Sequence, residues 1–354
     1  MLTVFLFLLA PSCCLEFYDL INKAEVIPIT VLNILVCFTS ITFKHCTWLH
    51  IVVYFFSFFC QKIINICFCD NYKCKKIFFF SIFLYKTLDM ITAELRKMRV
   101  SADKNGYVSY LLSTNEDPIN INSYLGQEIS MNFTGKIRCV SCGKVTKKSF
   151  GQGYCYPCFI SSPETEECVL KPHLCQAHVG IARDITYAEQ HCLIDHYVYL
   201  AISGGLKVGV TRHTQIPTRW IDQGASQGLI IAQTPNRYLA GIIEVELMKN
   251  FSDKTNWRSM LTNIEPNINL YDERNKLRNF LQGELGQYLS EDFSIQKITY
   301  PVEKYPTKVT SLNFNKTPQI SGILKGIRGQ YLIFNEGRVV NLRTFTGYEV
   351  EIKI

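Results

Sequence analysis

Seven cysteines confined to residues 139–192 constrain this chain more than any other feature of its sequence. The first four read Cys139-x2-Cys142-x12-Cys155-x2-Cys158. Paired C-x2-C knuckles at this separation place four thiolates around one zinc ion and leave no position for water, so such a site holds a fold together and does no chemistry itself. A pair of disulfides is the other reading of an even cysteine count. Gly143 and Pro157 inside the two turns favour metal, because each lets two sulfurs point the same way from a tight bend. The remaining three, with one of the interleaved histidines, suggest a second zinc site of the form Cys168-x6-Cys175-x16-Cys192-x3-His196; His173, His178 and His191 compete for its last position.

The character of the chain changes near Met90. Residues 1–89 carry the other eight of the 15 cysteines and two charge-free runs, 26–43 and 45–61, each about as long as a bilayer crossing needs. Read at face value this is a membrane hairpin and the protein is membrane-anchored. The segment is dominated by Phe, Ile, Leu, Tyr, Lys, Asn and Cys with few small residues, unlike most spanning helices, and residues 1–14 have no basic flank of a secretory signal. Our expectation is that translation starts at Met90 and that the product is cytoplasmic, where thiolates stay reduced and available to metal.

From Met90 onward the expected class is α+β, in four stretches. Residues 90–135 are an N-terminal β segment, with strands at 107–112 and 128–139. Residues 136–196 bind zinc. Residues 197–262 hold two strands joined at Ser203-Gly204-Gly205, a short helix opened by Pro217, a third strand at 229–232 and a helix at 236–251. Residues 263–354 begin with an amphipathic helix at 273–289, in which Leu277, Phe280, Leu281, Leu285, Tyr288 and Leu289 recur at gaps of three and four, and end in a small glycine-punctuated β-rich module.

The central stretch carries the clearest chemistry. Tyr197-Val198-Tyr199, Lys207-Val208-Gly209, Arg219 and Glu244 follow one another in an order that resembles the GIY-YIG nuclease pattern. The resemblance implies a ββαβα domain that cuts phosphodiesters with Mg²⁺: Tyr199 handles the proton of the attacking water, Arg219 holds the phosphate, and Glu244 binds the metal. Lys207 and Arg212 would add phosphate contacts. Tyr197 stands where the pattern has its first glycine, Lys207 where it has its second tyrosine, and Gln223 where many such nucleases carry a histidine. A scaffold that binds nucleic acid without cutting it is therefore the alternative. Over nearly everything after Met90, the combination of CVSCGKVTKKSFGQGYCYPCF, PTRWIDQGA and DKTNWRSML is similar to an uncharacterised bacterial family of unknown function.

A nucleic-acid partner does not depend on catalysis. The net charge is +7, and Lys144, Lys147 and Lys148 share the loop between the knuckles with Phe150, Tyr154, Tyr156 and Phe159. Cations can track a phosphate backbone while aromatic faces stack on unpaired bases. For Phe150 and Phe159 the competing role is packing under the zinc site.

Overall fold

In the computed structural model, the residues described are 90–250, 256–277, 280–281 and 283–354. The hairpin or start-site question concerning residues 1–89 lies outside them. Among the described residues no helix is long and apolar enough to cross a membrane.

Fifteen strands and six α-helices are found among the described residues. The largest sheet runs in the order β1 (Met90–Glu94), β15 (Tyr348–Lys353), β5 (Glu128–Arg138), β12 (Gln319–Arg328), β13 (Tyr331–Phe334), β14 (Arg338–Asn341) and β11 (Thr310–Ser311). The short β6 (Val145–Thr146) pairs with the end of β5, and the turn between them carries the first cysteine knuckle. Strands β2 (Arg99–Ala102), β3 (Val108–Leu112) and β4 (Ile119–Asn120) make a small separate sheet. A third sheet has the order β10 (Gln296–Lys297), β9 (Gln227–Thr234), β7 (His196–Ile202) and β8 (Leu206–Arg212).

The helices are α1 (Tyr156–Ser161), α2 (Ile185–His191), α3 (Thr218–Asp222), α4 (Arg237–Met248), α5 (Trp257–Leu261) and α6 (Leu270–Leu277). Residues 196–248 thus run strand, strand, helix, strand, helix, the order expected from the sequence. The two expectations that fail are instructive. Segments 90–135 and 263–354 are not independent modules: β1 and β5 both pair with β15, and β5 pairs with β12, so the two ends of this region share one sheet. The helix expected over 273–289 is broken. It becomes α6, which ends at Leu277, and a separate 3₁₀ turn at Gly283–Tyr288, whose first residue takes φ +69°. Leu277, Leu281, Leu285, Tyr288 and Leu289 nevertheless join the same apolar cluster while Phe280 is exposed, so the periodicity reported five of the six buried positions correctly and the continuity wrongly.

Alternation along β7 sorts its side chains onto two faces. Val198, Leu200 and Ile202 meet Ala240, Ile243 and Leu247 of α4 and Leu270 and Leu277 of α6. Tyr199 and Ala201 face the other way and enter one core with Trp220, Ile221, Phe314, Leu332 and Val350, which belong to α3 and to the segments of the largest sheet. Both faces of the central sheet are therefore covered. Arg328 pins this second packing: it is buried in β12, donates through Nε to the Gly224 carbonyl at 2.9 Å and through Nη1 to Asn263 Oδ1 at 2.7 Å, and pairs with Glu265 at 2.5 Å.

One contact on α4 gives a test of how tightly the cysteine-rich segment is docked. Gly241 has no room for a Cβ, which would lie 2.1 Å from the backbone nitrogen of His173 and 2.4 Å from the carbonyl carbon of Pro172. In a free helix Gly→Ala stabilises by about 1 kcal/mol. Here Gly241→Ala is expected to act in the opposite direction, by about 1–3 kcal/mol as overpacking does, because the atoms in the way are backbone. Urea unfolding of the two proteins checks the sign, and an unchanged or raised midpoint refutes the docking.

Candidate metal centres and the buried tyrosine site

The four cysteines of the knuckles meet as their spacing demands. Cys139 follows β5, where the Gly143 N–H donates to the Cys139 carbonyl at 2.9 Å and Gly143 takes φ +71°. Cys155 caps α1, and Pro157 in its first turn sets Cys158 back towards the same point. All four sulfurs lie within 4.8 Å of one another. Cys142 and Cys155 are 3.8 Å apart. That is about the edge, ~3.8 Å, of a tetrahedron built on Zn–S bonds of ~2.3 Å, and far from a disulfide at ~2.05 Å. Charge says the same. Burial works against a Cys139 thiolate, but the backbone N–H groups of Cys142, Cys155 and Ser141 bring its pKa down to about 6. Cys158 is pushed up to about 12, chiefly by its hydrogen bond with Cys155. Sulfurs this close cannot all ionise unless a cation shares their charge.

The second cluster is buried. Cys168 sits in a 3₁₀ turn at Glu167–Val169, Cys175 caps the 3₁₀ turn at Pro172–Leu174, and Cys192 caps α2; their sulfurs also lie within 4.8 Å of one another. Hydrogen bonds with Cys168 and Cys192 pull Cys175 down to about 3, and those with Cys168 and Cys175 push Cys192 up. His196 does not join them. It is buried with Nδ1 2.7 Å from the Ile194 carbonyl, as the first residue of β7 it is held by the ladder to Arg212 and Thr234, and burial lowers its pKa to about 4. Among the described residues the three cysteines converge without it, and its Nε2 is buried with no hydrogen-bond partner. Arg237, which the sequence reading missed, opens α4 against them: its backbone N–H donates to the Cys192 carbonyl at 2.8 Å, Nη1 lies 3.6 Å from Cys168 Sγ, and Nη2 donates to the His191 carbonyl at 3.1 Å.

Tyr199 organises the central sheet. Its cross-strand partner is Gly209, where a Cβ would meet the phenol oxygen at 2.6 Å; the ring lies over that glycine and reaches the edge strand β8. The hydroxyl donates to Gln223 Oε1 at 2.9 Å, and the ring makes an edge contact with Trp220. Burial raises the phenol pKa, the adjacent Arg219 guanidinium opposes that, and the Glu244 carboxylate adds to it. Tyr199, Arg219 and Gln223 are therefore neighbours; Glu244 stands on α4, which packs against the opposite face of β7, and its charge is felt at Tyr199.

Two expected members are placed differently. Lys207 lies on the Tyr199 face, opposite Ala201, and is buried. Arg212 lies on the other face, paired with His196, and its charge is felt at Tyr187, Arg237 and Cys192. The reason is the two-residue period of a strand: positions 207 and 212 differ by an odd number, so they point to opposite sides.

An unexpected residue lies beside the cysteine loop. Arg343 is in the 3₁₀ turn at Leu342–Phe345; burial lowers its pKa, the charge of Arg219 lowers it further, and the Asp222 carboxylate opposes both. Its Nε donates to Gln152 Oε1 at 2.7 Å, which ties it to the zinc loop. It lines a cavity of about 650 Å³ with Lys147, Lys148, Gln152, Asn315 and Asn341. No local signal in the sequence marks Arg343, because its neighbours come from residues far away in the chain. In the zinc loop, Phe150 packs against Tyr156 and Phe159, and the Lys148 ammonium lies 5.1 Å from the Phe150 ring centre, so the packing role holds for Phe150 and Phe159.

The fold and sites define an α+β protein with two cysteine clusters able to hold metal ions. The chain belongs to the DUF2797 family, described as a protein of unknown function, whose model matches residues 126–350 and so takes in both clusters, the central sheet and the first half of β15. No curated protein and no solved structure gives a significant match.

Proposed function

We propose that this protein binds nucleic acid through the cavity beside its cysteine loop. The observation that carries the reading is a cavity of about 650 Å³ whose lining brings the cations Lys147, Lys148 and Arg343 together with the amides of Gln152, Asn315 and Asn341. Ammonium and guanidinium groups gathered around one cleft can donate to the oxygens of a phosphate backbone. Zinc at Cys139, Cys142, Cys155 and Cys158 would fix the loop that carries Lys147 and Lys148. Binding of labelled single-stranded, duplex and branched DNA and RNA by the full chain tests this; absence of binding to every one at low salt removes it.

A second reading, Mg²⁺-dependent cleavage, rests on the order of Tyr199, Arg219 and Glu244 along the chain and on the meeting of Tyr199 with Arg219 and Gln223; the Glu244 charge is felt at Tyr199. Tyr199 is sealed, however, so its hydroxyl would orient Gln223 and Arg219 and would not meet bulk water. If the protein cuts, Glu244→Gln is expected to lower the Mg²⁺-dependent rate by about 10²–10⁴-fold, the range for a catalytic group, and to leave binding unchanged. Single-turnover assays beside gel shifts separate the two, and a Glu244→Gln protein that cuts normally excludes this carboxylate.

A further inference from the structure

We propose that a zinc ion held by Cys168, Cys175 and Cys192 keeps its fourth coordination position open to an exchangeable small ligand, water at rest. Three independent features of this cluster support the assignment. The first is the donor set. Three sulfurs converge within 4.8 Å, and among the described residues no histidine, aspartate or glutamate comes into the same group. His178 is stacked on Tyr238 with ring centres 4.3 Å apart, and His191 is stacked on Tyr187 with Nδ1 2.9 Å from the Tyr187 carbonyl.

The second is space. A cavity of about 190 Å³ lies directly over the cluster, lined by the three cysteines with Glu166, Gln176 and Ile181. Water takes up about 30 Å³ in the liquid, so the cavity admits several molecules or a small anion. The other cluster is a closed four-sulfur shell.

The third is charge. Three thiolates and Zn²⁺ sum to −1, and the buried Arg237 guanidinium beside Cys168 brings the centre to neutrality. A fourth ligand that is neutral preserves this balance, whereas a fourth thiolate or carboxylate leaves net negative charge in a buried place, which is costly. Zinc bound by three protein ligands with a water in the fourth place is the arrangement that acidifies that water. Glu166, half-buried, lines the same cavity and supplies a carboxylate acceptor there. The two clusters thus divide the labour: one is closed and structural, the other is open to ligands.

Cobalt(II) substitution of the full chain reads the two sites separately. Titration with azide or imidazole is expected to shift the ligand-field bands of the three-cysteine site. The shift should persist in Cys142→Ser and in His196→Ala, and vanish in Cys175→Ser. X-ray absorption of the unaltered zinc protein guards against variants that fail to fold: sulfur with a minority of oxygen, and no outer-shell scattering from an imidazole ring, is the expected result. A spectrum indifferent to both ligands, or imidazole scattering in the resting zinc protein, overturns the proposal.

Discussion

Removing zinc from the knuckles is expected to unfold the segment that carries them. Cys139→Ala should abolish binding at one site and lower the thermal midpoint more than any single core substitution, since structural zinc contributes about 10–16 kcal/mol of apparent binding energy that the apo segment must then do without. Little else holds this segment. Cys142 is exposed, Cys155 and Cys158 are only half-buried, and α1 has no buried residue. The beginning of the segment is tied to the sheet by β6 and by the hydrogen bonds from Arg138 to Gly347 and from Val140 to Gly153. Beyond those contacts the sulfurs are the core. Elemental analysis and calorimetry of wild type and Cys139→Ala decide the matter. Full zinc content in the variant, or an unchanged midpoint, would show that the loop folds on its own.

Reversing the charge of the cavity is expected to have the largest effect on binding. Lys147→Glu with Lys148→Glu removes two cations and adds two repulsive groups without touching the core, because both lysines are exposed. Each lost phosphate contact reduces the slope of log K against log salt by about 0.9 on duplex DNA. Two lost contacts should flatten the slope by about 2 and weaken binding at low salt by tenfold or more. Measuring the slope in both proteins distinguishes this surface from general basicity. Equal slopes would place the nucleic acid elsewhere. A fall in affinity with the zinc content retained would exclude collapse of the loop as the cause.

Local periodicity made much of this fold legible. The strands at 128–139 and 107–112, the turn at Ser203-Gly204-Gly205 and the helix that became α4 all have signals that a chain carries within a few residues: alternation, glycine, an apolar stripe. Cysteine spacing gave the four-sulfur site for the same reason, since two knuckles each complete half of it locally. What escaped notice depends on partners far along the chain. Arg343 lies beside the cysteine loop only because Gln152, far away in the chain, accepts from its Nε, and Arg237 meets Cys168 only because α4 is clamped on the 3₁₀ turn at Pro172–Leu174. Counting positions along the chain offers His196 as a ligand, but the three sulfurs meet without it. How deeply Tyr199 is buried depends likewise on the second layer that covers its face.

The place of β15 bears on how the molecule is made. It lies between β1 and β5, so a strand near residue 90 waits beside an empty lane until residues 348–353 arrive. During synthesis the growing polypeptide therefore exposes two unsatisfied strand edges for as long as the ribosome needs to add some 200 residues (348 minus 138), roughly 10–40 s at ~5–20 residues per second. Open edges invite pairing with other nascent chains. A cell in which this protein is abundant must shield those edges, and a prematurely stopped copy would carry them permanently.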